Sequence, residues 1–397
     1  MSRTEDFIRE VDAVSAHNYG PLPVVISKAE GAWVTDVEGK RYIDMLSAYS
    51  ALNQGHRHPK ILKAMQDQAA TLTLTSRAFH NDQMGPFLKK LTKACGYDKA
   101  LPMNTGAEAV ETAIKAARRW GYQKKGIPAD KAKIIVCADN FHGRTTTIVG
   151  FSTDPVCHDD FGPYSPGFEI IPYSDAKALA GAIDSNTCAF LVEPIQGEAG
   201  VNVPKDGYLK ECYDICKKNN VLFIADEIQT GLGRTGRLFC CDHENIRPDI
   251  ICIGKALGGG VYPVSAIVAD NEIMEAAFYP GNHGSTFGGN PLGSAVASAS
   301  FDVILDEHLA EHADELGKWF RGELRKIDSP RIKEVRGKGL LIGMELNEDA
   351  HPYSVKLMEK GILAKDTHGV TIRFAPPLVI SKEDLEHALK VITEVIS

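Results

Sequence analysis

Apolar and polar positions along the chain change rhythm twice. Between Gly31 and Met45, strand-type residues alternate on either side of a glycine-containing turn (Gly-Ala-Trp-Val-Thr-Asp-Val-Glu-Gly-Lys-Arg-Tyr-Ile-Asp-Met), which predicts a β-hairpin. From His58 to Leu74 the apolar residues Ile61, Leu62, Met65, Ala69 and Leu72 recur at helical spacing. Beyond residue 100, short apolar runs alternate with helical stretches. Segments 133–138, 189–193, 221–226, 249–254 and 264–269 are rich in β-formers, while 107–120 and 207–219 read as helices. That alternation predicts βαβ units around a mostly parallel sheet buried on both faces. From about residue 295 come long charged helical stretches, a strand at 339–346, an apolar segment at 369–379 and a final amphipathic helix. The expected architecture is α/β, with an N-terminal segment (1–50) packing against the small domain, a large domain (51–294) and a smaller α+β domain (295–397).

Composition narrows the partners. With 397 residues, 44% hydrophobic and 24% charged, the chain has the balance of an ordinary globular protein with a full core. The 44 Lys+Arg against 52 Asp+Glu leave a net charge of −8 with no dense basic run, which disfavours nucleic acid and anionic membrane as partners. No apolar run is long enough to span a bilayer, and the first residues, Met-Ser-Arg-Thr-Glu-Asp, lack the character of a secretory or transit segment. Nine scattered cysteines without a Cys-x-x-Cys pair fit buried free thiols in a reducing cytoplasm.

In open α/β sheets, ligands bind outside the carboxyl ends of the strands, so the residues ending the apolar runs carry the chemistry. Glu193 ends Ala-Phe-Leu-Val-Glu, Asp226 ends Val-Leu-Phe-Ile-Ala-Asp, and Lys255 follows Asp-Ile-Ile-Cys-Ile-Gly. An acid and a lysine at neighbouring strand ends can be a structural ion pair, but other features accompany them. Thr105-x-x-Glu108 is a capping-box spacing that starts a helix at Gly106, whose free N–H groups and positive dipole end suit an anion, above all a phosphate. A second cluster, His283-Gly-Ser285-Thr286-Phe-Gly-Gly-Asn-Pro291, offers hydroxyls in flexible backbone. Asp226, Lys255, the aromatic Phe141 and two phosphate-cradling loops are together what pyridoxal 5′-phosphate requires: a lysine for covalent attachment and an acid that keeps the pyridine nitrogen protonated.

Here the sequence becomes recognisable. Ala225-Asp226-Glu-Ile-Gln229-Thr-Gly-Leu-Gly-Arg-Thr-Gly236, with Lys255 in Gly-Lys-Ala-Leu-Gly-Gly-Gly, resembles the class III (subgroup II) aminotransferases of fold type I, the aspartate aminotransferase-like fold. The likeness runs nearly the whole chain. It is greatest to the ornithine-using branch, through His17-Asn-Tyr19, Ser50-Ala-Leu-Asn-Gln-Gly-His56, Glu193-Pro-Ile-Gln-Gly-Glu198-Ala-Gly200, Val335-Arg-Gly-Lys-Gly-Leu-Leu341 and Arg373-Phe-Ala-Pro-Pro-Leu378.

The resemblance implies roles residue by residue. Lys255 would hold the cofactor and shuttle the proton, Asp226 would pair with the pyridinium, Gln229 would hydrogen-bond the ring hydroxyl and Phe141 would stack on the ring. Gly106 and Ala107 would offer backbone N–H groups to the phosphate, and Ser285 and Thr286 would reach the phosphate of the neighbouring subunit, which makes a homodimer necessary. Tyr19 would meet the α-carboxylate of L-ornithine, Tyr49 would pack near the substrate chain, and Arg144 would clamp the α-carboxylate of glutamate or 2-oxoglutarate. Arg373 faces conflicting demands, since glutamate reacts at its α-amine and ornithine at its terminal amine. The implied solution is Glu198, which pairs with Arg373 for ornithine and releases it for glutamate. Sister activities on acetylornithine or 4-aminobutyrate share Phe141-His-Gly-Arg144, so Tyr19 is the better discriminator.

A nucleotide-binding reading fails in context. Gly231-x-Gly233-x-x-Gly236 begins well after Asp226 instead of at the strand-to-helix turn, and no Gly-x-x-x-x-Gly-Lys-[Ser/Thr] occurs. His56, His58 and His80 lack a carboxylate or third ligand at matching spacing, so no metal is expected.

Overall fold

The computed structural model describes residues 2–397. Near the N-terminus, β1 (Ile26–Glu30), β2 (Trp33–Asp36) and β3 (Arg41–Asp44) form an antiparallel meander. The turn between β2 and β3 is built by Asp36, whose carboxylate accepts the N–H groups of Glu38 and Lys40, both at 2.9 Å, and the Tyr42 hydroxyl at 2.7 Å. Gly39 supplies the positive φ (+92°) that closes it.

The central sheet contains β4 (Lys99–Met103), β5 (Lys133–Cys137), β6 (Phe168–Ile171), β7 (Thr187–Val192), β8 (Leu222–Asp226), β9 (Ile250–Ile253) and β10 (Ser265–Ala269). Their order is β4-β10-β9-β8-β7-β5-β6, and only β10 runs against its neighbours. Every residue of β7, β8, β9 and β10 is buried, which explains why these strands read as unbroken apolar runs. Because β4, β5, β7, β8 and β9 are mutually parallel, their carboxyl ends and the loops that follow lie along one edge.

The C-terminal part holds β11 (Ile332–Lys338), β12 (Leu341–Leu346), β13 (Ile362–Leu363), β14 (Lys365–Thr367) and β15 (Thr371–Phe374). A second antiparallel sheet has the order β11-β12-β15-β14. β13 leaves it and pairs in parallel with β3, and Ala375 N–H donates to Met45 O at 2.6 Å, so the N-terminal meander is stitched to the C-terminal strands. Helix Pro291–Asp306 runs through residues 294 and 295, where the sequence pattern changes texture, and packs against helices Pro59–Ala69 and Met84–Cys95.

Several elements differ from the sequence expectation. The helix expected over 58–74 spans Pro59–Ala69. Beyond it, Thr71, Thr73 and Thr75 are poor helix formers, and the Gln68 amide folds over to donate to Leu72 O at 2.8 Å. Strands β4, β6 and β11 escaped the sequence pattern. β6 and β11 lie at sheet edges, where half-exposed positions carry Glu169, Lys333, Glu334 and Arg336 in place of apolar residues. Gly231, Gly233 and Gly236, which mimic a nucleotide loop, serve close packing instead. A Cβ at Gly236 would stand 2.9 Å from Asp314 Cβ, and one at Gly231 only 2.6 Å from Glu227 O. All cysteines are free, and all but Cys95 and Cys157 are buried.

The segment Ser47–Ser50 is exceptional. Ser47, Ala48, Tyr49 and Ser50 all have positive φ, between 45° and 70°, forming a left-handed turn without a glycine. Such backbone costs roughly 1–2 kcal/mol per residue, so its surroundings must hold it. Asp44 accepts the N–H groups of Leu46 (2.9 Å) and Ser47 (2.8 Å), and the Ser47 hydroxyl donates to Ala375 O at 2.7 Å.

Candidate active site

The parallel strand ends converge on a cavity of about 190 Å³ lined by Gly106, Ala107, Phe141, Asp226, Gln229 and Lys255, together with His142, Glu193, Ile195 and Ile228. At one end is the start of helix Gly106–Trp120. Thr105 caps it, accepting the Glu108 N–H at 3.2 Å, while the Glu108 carboxylate accepts the N–H groups of Thr105 and Asn104, both at 2.9 Å. The capping box leaves the N–H groups of Gly106 and Ala107 without an acceptor among the described residues, facing the cavity at the positive end of the helix dipole. The approach is kept open by glycine. A Cβ at Gly106 would meet Ile228 Cγ2 at 3.1 Å, and one at Gly143 would meet Ala107 Cβ at 2.8 Å.

At the other end are the ionisable groups. Asp226 is buried, and its Oδ2 lies 2.6 Å from Nδ1 of the buried His142, whose Nε2 has no partner. Its Oδ1 accepts the Ile228 N–H at 3.1 Å. Glu193 accepts the Phe141 N–H at 3.0 Å, which fixes the backbone carrying that ring. Burial, and then the neighbouring Asp226, hold the Glu193 carboxyl well above the usual carboxylate range. Lys255, at the end of β9, has no hydrogen-bond acceptor for Nζ among the described residues. Burial lowers its pKa, with Glu198 acting in the opposite direction. An amine moved toward its neutral form can attack a carbonyl as a nucleophile.

The wall beyond the cavity gathers the charged residues. Arg373, buried on β15, donates through Nη1 to Glu198 Oε1 at 2.8 Å and to Gly197 O at 3.4 Å. Burial alone would raise the Glu198 pKa, but Arg373 and Lys255 outweigh it and hold the carboxyl below its usual value. Gln229 Nε2 also donates to Glu198 Oε1, at 2.8 Å, leaving Gln229 Oε1 buried and unpaired. Gly197 leaves room for this placement of Gln229, since a Cβ would fall 1.6 Å from that oxygen. The Tyr49 ring lies 4.8 Å from the Arg373 guanidinium. Arg144, at the surface, donates to the Tyr19 hydroxyl at 3.2 Å and sits 5.5 Å from the centre of the Phe141 ring. Tyr19 and Tyr49 both line an adjoining apolar cavity of about 680 Å³, bordered by Asp44, His56 and Lys365.

Ser285 and Thr286 stand apart: neither lines the cavity of its own chain. Ser285 Oγ accepts from Asn104 Nδ2 at 2.7 Å, behind the helix cap, and Thr286 is exposed. Gln229 spends its amide on Glu198 where a ring hydroxyl was the expected partner. His142 is the residue that sequence reasoning missed. It stood in a recognised tetrad without a role, and its signal was a histidine between Phe141 and Gly143 on the loop after a buried strand. His56 and His58 are occupied as side-chain partners of Asp44 (2.8 Å) and Glu307 (3.3 Å).

The cavity offers a half-buried lysine amine, a buried acid held by a histidine, an aromatic wall and a helix N-terminus with unclaimed N–H groups. These donors fit a phosphorylated pyridine aldehyde, and the unpaired His142 Nε2 and Gln229 Oε1 leave polar capacity for ligand or water. Residues 14–396 match the family model described as aminotransferase class-III, and the chain belongs to that family. It is 59% identical to an ornithine aminotransferase from Geobacillus sp. (strain WCH70), over 100% of this chain and 99% of that one. The ornithine aminotransferase from Toxoplasma gondii, crystallized with oxidized glutathione and with partial occupancy of PLP at its active site, superposes with a TM-score of 0.98 at 49% identity, covering 99% of this chain and 94% of that one. An acetylornithine aminotransferase from Elizabethkingia anophelis superposes with a TM-score of 0.91 at 51% identity over 100% and 99% of the two chains.

Proposed function

We propose that this protein is a pyridoxal 5′-phosphate-dependent transaminase that moves the δ-amino group of L-ornithine to 2-oxoglutarate, giving L-glutamate 5-semialdehyde and L-glutamate. The observation that carries this reading is the Arg373–Glu198 pair beside Lys255. A cationic carboxylate receptor closed by an internal carboxylate suits an enzyme whose first substrate must enter amine-first and whose second brings a carboxylate able to displace Glu198. Full-length identity to ornithine aminotransferases supports the same substrate pair.

When bound, pyridoxal phosphate supplies an electron sink and a temporary carrier for the amino group. The residues divide the remaining work. Gly106 and Ala107 N–H groups would bind the phosphate, Phe141 would cover one face of the ring, and Asp226, oriented by His142, would keep the ring nitrogen protonated. Lys255 Nζ would hold the cofactor's aldehyde group, and as a free amine it would be the base placed to move the proton of the amine-bearing substrate carbon. Tyr19 would donate to the ornithine α-carboxylate and Arg144 would bind the α-carboxylate of glutamate or 2-oxoglutarate. Two half-reactions sharing one covalently held amino group give ping-pong kinetics.

We further propose a cytoplasmic homodimer, in which Ser285 and Thr286 serve the partner's phosphate. The support is that both lie outside the cavity of their own chain and that the cysteines are unpaired. Among the described residues no helix is long and apolar enough to cross a membrane.

The test is the near-visible absorption band of the purified protein with pyridoxal phosphate, followed on adding L-ornithine, N-acetylornithine or 4-aminobutyrate without keto acid, with Lys255→Ala as control. Ornithine should bleach the band fastest, and 2-oxoglutarate should restore it. The 51% identity to an acetylornithine enzyme makes N-acetylornithine the principal competitor, and a faster response to it would move the assignment there.

A further inference from the structure

Arg234 is one of the largest fully buried side chains in the protein, and no carboxylate pairs with it. Its guanidinium is spread across oxygen atoms from four places in the chain. Nη1 donates to Leu340 O at 3.0 Å and Pro376 O at 2.6 Å, while Nη2 donates to Ser47 Oγ at 3.1 Å and Asn53 Oδ1 at 2.7 Å. Burial lowers its pKa to about 9, against the pull of the Asp44 carboxylate. A buried cation without an anionic partner is costly. Stability alone would be served as well by apolar packing, so its position in the fold asks for another reason.

That position is between the strained turn and the carboxylate receptor. Ser47, which accepts from Arg234, opens the left-handed turn and donates its own hydroxyl to Ala375 O. Tyr49 lies two residues after Ser47, and Ala375 lies two residues after Arg373. The planar fork bonds Ser47, two residues before Tyr49, and Pro376, three residues after Arg373, and so joins both chain segments close to the Tyr49–Arg373 contact. Asn53 completes the frame: its Oδ1 accepts from Arg234, its Nδ2 donates to Leu232 O at 2.9 Å, and its backbone carbonyl accepts the Leu378 N–H at 2.8 Å. A lysine, with its donors on one atom, cannot span these acceptors.

We propose that Arg234 is a positioning residue: it clamps the left-handed Ser47–Ser50 turn to the chain that follows Arg373, and so holds the Tyr49 ring against the Arg373 guanidinium and keeps that guanidinium directed at Glu198. The proposal rests on the reading of Arg373 and Glu198 as the element that distinguishes ornithine from glutamate. Loosening the clamp frees Arg373 from the closed arrangement, which the ornithine half-reaction needs and the glutamate half-reaction must open in any case.

The experiment compares the wild-type protein with Arg234→Lys and Ser47→Ala. The second is a small change that removes one acceptor and guards against misfolding of the first. Amide hydrogen exchange of the full chain without cofactor should rise in peptides covering 45–51 and 373–377, with the central strands unchanged. In the holoenzyme, the rate constant for ornithine should fall about tenfold relative to that for glutamate. Unchanged exchange in 45–51 in a folded variant overturns the clamp. Raised exchange with equal losses on both amino acids overturns the positioning role and leaves Arg234 a structural residue. If the wild-type protein responds to neither amino acid, the substrate assignment fails, and the exchange of 45–51 then decides the clamp by itself.

Discussion

The Asp226 carboxylate is held 2.6 Å from Nδ1 of His142, with both side chains buried. The histidine orients the acid, which in the proposed function would keep a ring nitrogen protonated. Asp226→Asn should therefore lower ornithine turnover by about a hundredfold or more, because an amide does not stabilise that proton. His142→Phe keeps a ring but removes the hydrogen bond, and should produce a smaller loss together with weaker cofactor retention. Titration of each cofactor-free variant with pyridoxal phosphate, followed by absorbance, separates the two effects.

Glu198→Gln removes the charge that neutralises Arg373. The freed guanidinium should accept the ornithine α-carboxylate, so ornithine reacts increasingly through its α-amine. Product analysis should show a lower share of glutamate 5-semialdehyde, while the glutamate half-reaction stays within about threefold of wild type, an effect of roughly 1 kcal/mol or less.

Arg144 and Tyr19 touch each other but are assigned to different substrates. Tyr19→Phe removes a hydroxyl donor and should raise KM for ornithine about tenfold, the worth of a hydrogen bond to a charged group, with little change for 2-oxoglutarate. Arg144→Gln should do the reverse. Steady-state kinetics with each substrate varied in turn checks the crossing pattern, and parallel losses would contradict the division.

Burial raises the Glu227 carboxyl from 4.5 to about 7, although Thr230 Oγ1 and the N–H groups of Cys240 and Cys241 donate to it. A folded-state pKa above the unfolded one means that the folded protein binds more protons between those values. Its contribution to stability is complete below about pH 4.5, declines as pH rises, and levels off above about pH 7. Glu227→Gln should remove that part of the slope, whatever its constant offset. Chemical denaturation midpoints at about pH 5, 6, 7 and 8 should differ less in the variant than in the wild type.

The Glu198–Arg373 pair titrates with the opposite sign. Its carboxyl is held below the usual value, so its stabilisation is present above the ordinary carboxylate pKa and is lost as pH falls through the lowered one. Glu198→Gln should accordingly flatten the acid limb of the stability curve, measured by thermal unfolding below about pH 5.

Elements whose chemistry is local can be read along the chain. The buried strands of the central sheet announced themselves as apolar runs, because both faces of each are covered. The capping box at Thr105 and Glu108 was equally legible, since a helix start needs only residues three apart. So were Asp226 and Lys255, which stand where such runs end. Relationships between distant segments are set by the fold. His142 becomes the partner of Asp226 only when β5 and β8 are separated by β7 in one sheet, and Arg373 meets Glu198 only once the C-terminal sheet is seated against the loop after β7. The left-handed backbone of Ser47–Ser50 has no local signal such as a glycine, and it is tolerable only because Asp44, Ala375 and the buried Arg234 satisfy it from three other places in the chain. Periodicity reports which face of an element is buried; it carries no information about which distant hydrogen-bonding group will be waiting there.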